Sequence, residues 1–166
     1  MLWSRLRMCL RQSCWKTAHS FPGGSHTRAM EKRFLVYGVL GWCAEILWTG
    51  LCSLLAGDSA LTAKTYLWMF PIYGLAAFAE PAFLALRRYC PLWQRCGVYI
   101  LGIYTVEFLT GGILRMLTGV CPWDYGSGAF SLMGLIRLDY APLWAMLGLF
   151  FEEVCWLLRR GEREGG

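Results

Sequence analysis

The chain has 166 residues, of which 57% are hydrophobic and only 16% are charged. Soluble domains carry about 25% charged residues, so this composition argues against an ordinary water-soluble fold. The formal net charge is +5, but the basic residues lie at the ends of apolar blocks and form no nucleic-acid-binding motif. We therefore expect a one-domain membrane protein, with the lipid bilayer as its partner and no nucleic acid.

The first 29 residues form a basic leader. It contains no acidic residue and five Lys and Arg residues, namely Arg5, Arg7, Arg11, Lys16 and Arg28. Three interpretations stay open: a disordered or interfacial segment, an organelle transit peptide, or an artefact of start-site choice with Met30 as the true start. Because the regular membrane pattern begins at Glu31, the third interpretation is slightly favoured.

Four apolar blocks follow the leader, each near the length of about 20 residues that crosses a hydrocarbon core. They predict transmembrane helices over residues 34–56, 65–86, 96–117 and 138–158. We therefore expect an all-α integral membrane protein. Its four-helix transmembrane bundle is predicted over residues 30–160, with a short tail at 161–166.

Basic residues are concentrated in three places: just before the first predicted helix, in the loop between the second and third helices, and in the tail. They are Arg28, Lys32 and Arg33, then Arg87, Arg88 and Arg95, then Arg159, Arg160 and Arg163. The other two loops carry only Lys64 and Arg137. Since Lys and Arg favour the cytoplasmic side, both termini are predicted to be cytoplasmic and these two loops to face outward.

The two halves of the chain show a weak similarity. Glu45 and Glu107, in the first helix of each half, are each followed by a Thr-Gly pair. In the second helix of each half, a Pro precedes Glu80 and Glu152. This pattern is consistent with two helical hairpins repeated in the same orientation, as in some transporters, and we predict such a parallel repeat.

Small residues and prolines mark where helices approach or bend. Close helix packing is predicted at Gly38, Gly41, Gly111 and Gly112. Pro71 and Pro142 are predicted to kink the second and fourth helices, unless Pro142 lies in a first helical turn, where proline is tolerated.

Acidic residues inside the apolar blocks are the energetically most unfavourable feature of the sequence for a membrane protein. Each predicted helix carries one of them, Glu45, Glu80, Glu107 and Glu152, and the third helix also carries Arg115. A charge at the bilayer centre costs about 3 kcal/mol, so these side chains are expected to turn away from lipid. Two interpretations follow: a cavity that binds a cation or a polar head group or relays protons, or hydrogen bonds that simply hold the bundle together.

Motifs for catalysis are missing from the sequence. It contains no Ser/His/Asp or Cys/His constellation and no phosphate-binding loop, and its eight Cys residues lack zinc-binding spacing. We therefore expect no enzyme activity, no metal and no cofactor.

Four motifs in register carry a resemblance to a known family. They are Gly41-Trp42-Cys43-Ala44-Glu45, Phe70-Pro71-Ile72-Tyr73-Gly74, Glu107-Phe108-Leu109-Thr110-Gly111 and Trp123-Asp124-Tyr125. Together they resemble the bacterial ABC-transporter permease family of the CmpB type, also called ABC-transporter type IV, and are similar to the vertebrate transmembrane protein 229 family. The resemblance covers roughly residues 34–158. It implies signature residues at Trp42, Glu45, Pro71, Tyr73, Gly74, Glu107, Gly111, Trp123, Asp124 and Tyr125.

The resemblance implies a permease-like transporter subunit in a bacterial cell membrane. The chain has no Walker A sequence, so any ATPase would be a separate subunit. Because four helices rarely enclose a full transport path, a homo-oligomer is also expected. The alternative function is a membrane scaffold or interaction protein in which the buried Glu residues are structural.

Overall fold

The computed structural model describes residues 25–121 and 123–164. Most of the predicted basic leader, residues 1–24, lies outside the described part. The helices are α1 (Ser25–Leu55), α2 (Met69–Gly74), α3 (Ala76–Tyr89), α4 (Leu92–Thr118) and α5 (Ala141–Glu164). Two short strands, β1 (Ser131–Leu132) and β2 (Ile136–Arg137), lie between α4 and α5.

Four helical segments are long and apolar enough to cross a membrane. They are Thr27–Leu55, Met69–Tyr89, Leu92–Thr118 and Leu138–Glu164, the second being α2 and α3 together. At a rise of about 1.5 Å per residue, even the shortest of them spans the hydrocarbon core of a bilayer. The mostly helical, four-span architecture expected from the apolar blocks is thereby confirmed.

The helices begin and end at positions that differ from the predicted ones by several residues. Helix α1 already begins at Ser25, inside the segment expected to be leader. Helix α4 follows Pro91 and ends before Gly119, which adopts the left-handed conformation with φ of 72°. There its amide donates to the Arg115 carbonyl at 3.0 Å, as in many helix C-caps.

The second span is interrupted at Leu75. There the Phe78 amide donates to the Leu75 carbonyl at 3.0 Å, a tighter turn than that of an α-helix. Pro71 lies in the first turn of α2, four residues before the interruption. Pro81, which sequence analysis did not single out, lies inside α3 and has no amide hydrogen for the helical ladder.

The last span starts with a 3₁₀ turn at Leu138–Tyr140, and Pro142 follows in the first turn of α5. Proline is tolerated there because the first amides of a helix have no helical acceptor. Of the two alternatives for Pro142, the structure therefore favours the first-turn position over a mid-helix kink.

A small antiparallel hairpin interrupts the otherwise helical fold. Ser131 pairs with Arg137, and Leu132 with Ile136. Met133 and Gly134 both have positive φ, 56° and 75°, which is the geometry of the tight turns that hairpins prefer. Two residues per strand are too few to be recognised from sequence periodicity, so this element was not predicted.

Helix packing is uneven around the bundle. Helix α1 lies mainly against α2, and α4 mainly against α5, whereas α3 and α4 touch little. The predicted close approach is confirmed at Gly41, where an added Cβ would overlap the Tyr73 ring. It is wrong at Gly112, where an added Cβ would meet no atom of the described residues within 4 Å.

Large apolar side chains cover the outside of the bundle. Leu47 is 74% exposed, Leu101 68% and Met116 87%. Such a surface is unfavourable in water but suits contact with lipid chains. The core holds Tyr37, Ala77, Phe83, Tyr99, Phe151 and Cys155, together with the acidic side chains described below.

Candidate ligand-binding cavity

A cavity of about 620 Å³ lies at the end of the bundle where α1 ends, α2 begins and the α4–α5 loop folds back. Its lining combines acidic and aromatic side chains from all four spans and this loop. The members used below are Glu45, Trp48, Asp58, Lys64, Tyr73, Glu107, Trp123, Asp124, Tyr125, Tyr140 and Trp144.

Glu107 is the most buried acidic group of this cavity, with 7% of its surface exposed. The Tyr125 hydroxyl donates to one of its carboxylate oxygens at 3.1 Å. Its other oxygen, Oε2, is buried and has no hydrogen-bond partner among the described residues. Burying a carboxylate oxygen without a hydrogen-bond partner is costly, and Oε2 retains the capacity to accept a hydrogen bond.

Gly111 lets the α4–α5 loop reach the Glu107 site. A Cβ at Gly111 would lie 2.9 Å from a Leu135 methyl carbon and 3.0 Å from the Trp123 ring. Because glycine leaves that space open, Trp123 is buried against α4, and its indole Nε1 donates to the Leu135 carbonyl at 3.3 Å. The Trp123-Asp124-Tyr125 motif is thus held beside Glu107.

Glu45 enters the cavity from α1 and is half-buried. Its Oε2 atom also lacks a hydrogen-bond partner within the described residues. One turn further on, the Thr49 hydroxyl donates to the Glu45 carbonyl at 2.9 Å and accepts from the Lys64 amide at 3.2 Å. These bonds fold the α1–α2 loop over the cavity.

Two further acidic residues lie in loops beside the cavity. Hydrogen bonds from Thr62, Ser53 and Ala60 lower the pKa of Asp58 from 3.8 to about 2, so this carboxylate is ionised at neutral pH. The Asp124 carboxylate accepts a bond from the Gly126 amide at 2.8 Å.

The lining therefore has a strong acidic bias. Four acidic residues, Glu45, Asp58, Glu107 and Asp124, face it together with a single described basic residue, Lys64. Tyr125 is a neutral donor there, because burial and the neighbouring Glu107 raise the pKa of its hydroxyl. The cavity is thus suited to a ligand that carries positive charge.

Aromatic rings link the spans along one side of the cavity. Tyr140 packs edge-to-face on Trp48 of α1, on Tyr125 of the loop and on Trp144 of α5, with ring centroids 5.7–6.0 Å apart. Ring faces of Trp and Tyr attract cations. The Arg137 guanidinium already lies over the Tyr140 ring, 4.8 Å from its centroid, so the attraction for a cationic ligand rests on Trp48 and Trp144.

Glu80 and Glu152 lie away from this cavity, near the opposite end of the bundle. Glu80 is 2% exposed; Tyr37 donates to it at 3.1 Å, and it forms ion pairs with Arg33 and, at 3.3 Å, with Arg159. These partners lie at the start of α1 and the end of α5, so the carboxylate joins three spans.

Glu152 forms a second network of the same kind. It is 1% exposed, accepts a bond from Tyr99, and pairs with Arg87 at 3.3 Å and Arg95 at 3.0 Å. The four membrane glutamates therefore form no single cluster: Glu45 and Glu107 share the cavity, whereas each of the others is neutralised by arginines. Arg115 is exposed and does not line the cavity.

The remaining signature residues lie mainly outside the cavity lining. Trp42 lies edge-to-face on Phe70 with centroids 6.2 Å apart, and Tyr73 lines the cavity itself. Gly74 lies against the Phe34 ring, leaving no space for a larger side chain. Sequence analysis did not single out Trp48, Asp58, Tyr140 or Trp144, since nothing in their spacing marks them as neighbours.

The fold and its surface define an integral membrane protein, with four helices in the described part of the chain that are long and apolar enough to span a membrane. The family model described as "Putative ABC-transporter type IV" matches residues 33–160, more than three quarters of the chain. The chain belongs to this family, as the four motifs predicted. No solved structure matches the chain.

Proposed function

We propose that this chain is the membrane-embedded subunit of a transporter and that Glu45 and Glu107 bind a cationic or polar ligand. One observation carries the proposal: two carboxylates from different spans line one cavity, and each has a buried oxygen without a partner among the described residues. A residue that only holds helices together would be expected to have its oxygens paired, as those of Glu80 are.

The transporter role is supported by the family to which the chain belongs. In such a role the energy would come from a separate ATPase subunit at the cytoplasmic face of a bacterial cell membrane. Two copies of the chain would complete a transport path that four helices rarely enclose.

The alternative proposal is a membrane scaffold or interaction protein. The networks around Glu80 and Glu152 favour it, because each joins side chains from three spans through arginine and tyrosine. The two proposals differ in what they require of Glu45 and Glu107. Ligand binding needs their carboxyl groups to recognise the ligand, whereas a scaffold uses these groups only to hold the helices together.

Glu45→Gln and Glu107→Gln separate the proposals, because each keeps the shape of the side chain and removes its charge. Tetramethylammonium chloride is titrated into the full chain in lipid nanodiscs, with sodium chloride at equal ionic strength as the reference. Tryptophan fluorescence reports binding, since Trp48, Trp123 and Trp144 line the cavity. We expect saturable binding that each substitution weakens about tenfold or more, as is typical when one partner of a buried charge pair is removed.

Glu31→Gln is the matched control, because Glu31 is exposed near the start of α1 and outside the cavity. It is expected to bind like the wild type. Absence of saturable binding to the wild type, or binding by both Gln variants as tight as that of the wild type, would contradict the proposed site. If the wild type fails to respond and the variants only lose thermal stability, the scaffold function is correct.

A further inference from the structure

A second cavity, of about 300 Å³, forms a groove between α3 and α4 and is closed on one side by α5. Its walls are almost entirely apolar. They include Ala76, Ala79 and Phe83 on α3 and Val98, Gly102 and Val106 on α4.

Small side chains keep this groove open. The α3 wall consists largely of alanines, and on α4 a Cβ added at Gly102 would meet no atom within 4 Å. Leu75 and Val98, which also line the groove, are 44% and 45% exposed on the lipid-facing surface. A hydrocarbon chain could therefore enter it sideways from the bilayer.

The groove and the acidic cavity meet inside the bundle. Both are lined by Met69, Tyr73, Glu107, Trp123 and Trp144. At this junction Glu107 is 93% buried and presents its unpaired Oε2 atom. The apolar groove and the acidic, aromatic cavity thus lie next to each other, with these shared side chains at their common boundary.

We propose that the ligand is an amphiphile with a cationic head group and a single hydrocarbon chain. The head lies in the acidic cavity against Glu107 and Glu45, where aromatic faces also attract a cation. The chain lies in the groove between α3 and α4. The inference rests on the proposed function and specifies its substrate class: a molecule taken from the lipid phase rather than from water.

Decyltrimethylammonium chloride tests this inference, with tetramethylammonium chloride as the head group alone. Both are titrated into the full chain in nanodiscs, and affinity is taken from tryptophan fluorescence. Gly102→Leu places a side chain in the groove, and Gly112→Leu is the matched control, because Gly112 lies on the same helix, has the same open space and is outside the groove. Both are expected to fold, since neither position has a neighbouring atom to displace.

We expect Gly102→Leu to bind decyltrimethylammonium about tenfold more weakly than Gly112→Leu, because the chain and the new side chain compete for one space. Both variants should bind tetramethylammonium equally. Because the decyl chain partitions into the nanodisc lipid equally with either variant, this partitioning does not affect the ratio of their affinities.

Equal affinities of the two Leu variants for decyltrimethylammonium would overturn the amphiphile inference. If tetramethylammonium binding still depends on Glu45 and Glu107, the proposed function survives that result with a water-soluble ligand. If neither probe binds saturably to the wild type, both proposals fail together.

Discussion

A carboxyl group inside a membrane bundle is stabilised only by the groups that face it, and the four glutamates of this protein differ in those groups. Glu80 meets two arginines and a tyrosine, whereas Glu107 meets one tyrosine and keeps an oxygen unpaired. On the basis of this difference we propose a structural role for Glu80 and a binding role for Glu107.

Glu80→Ala tests the structural role. Removing this carboxylate deprives Arg33, only 12% exposed, of its buried partner and leaves it only the exposed Glu162. We therefore expect the free energy of unfolding to fall by up to about 3–5 kcal/mol. Unfolding in mixed detergent micelles, followed by circular dichroism, measures the change.

Glu164→Ala is the control for that substitution. Glu164 forms an exposed pair with Arg160 at 2.8 Å, and such pairs contribute little to stability. A loss from Glu80→Ala no larger than the loss from Glu164→Ala would show that the buried network does not stabilise the bundle.

At the scale of elements, glycine decides which helices approach closely. Gly41 brings α1 onto the ring of Tyr73, and Gly111 admits Trp123 beside α4. By contrast α3 and α4 touch little, and the groove lies between them. The bundle is therefore closely packed at Gly41 and Gly111, whereas α3 and α4 are separated where the groove lies.

Gly41→Ala is expected to destabilise the protein by about 1–3 kcal/mol, because the new methyl group overlaps Tyr73 and forces α1 and α2 apart. Gly112→Ala, with open space around it, is expected to be neutral or to stabilise by up to about 1 kcal/mol through helix propensity. Thermal unfolding of both variants in the same detergent makes the comparison. Equal melting temperatures would contradict the packing described for α1 and α2.

At the scale of the whole molecule, the start of α1 and the end of α5 lie together. Arg33 of α1 bonds Glu162 of α5 at 2.6 Å, and Arg159 of α5 pairs with Glu80. The arginines that face Glu152 lie on either side of the α3–α4 loop. Since positive charge favours the cytoplasmic side, we predict that this end of the bundle is cytoplasmic and that the acidic cavity opens outward.

Reporter fusions in a bacterial host test this orientation. Green fluorescent protein joined after Gly166 should fluoresce, as it does in the cytoplasm, while alkaline phosphatase joined after Leu61 should be active, as it is outside. A phosphatase fusion after Tyr89 is the matched control and should be inactive. Active phosphatase after Tyr89 together with inactive phosphatase after Leu61 would reverse the predicted topology.

The family and the number of spans were predictable from the sequence, because hydropathy over about 20 residues and short motifs are local properties. That each span carries an acidic residue, which is energetically unfavourable in lipid, was predictable for the same reason. Helix limits were less so: α1 begins nine residues before its predicted start, since polar residues at a membrane surface can continue a helix without an apolar pattern.

Only the tertiary structure decided which of those acidic residues meet. Glu45 and Glu107 line one cavity although they are far apart in the chain, and Glu80 pairs with arginines that are also distant in the chain. Both arrangements depend on how four helices pack. The same holds for the groove, which exists because small side chains of α3 and α4 face one another across a gap. The spacing of residues along a helix indicates which of its faces is buried. Which other helix packs against that face is set by the packing of the whole bundle.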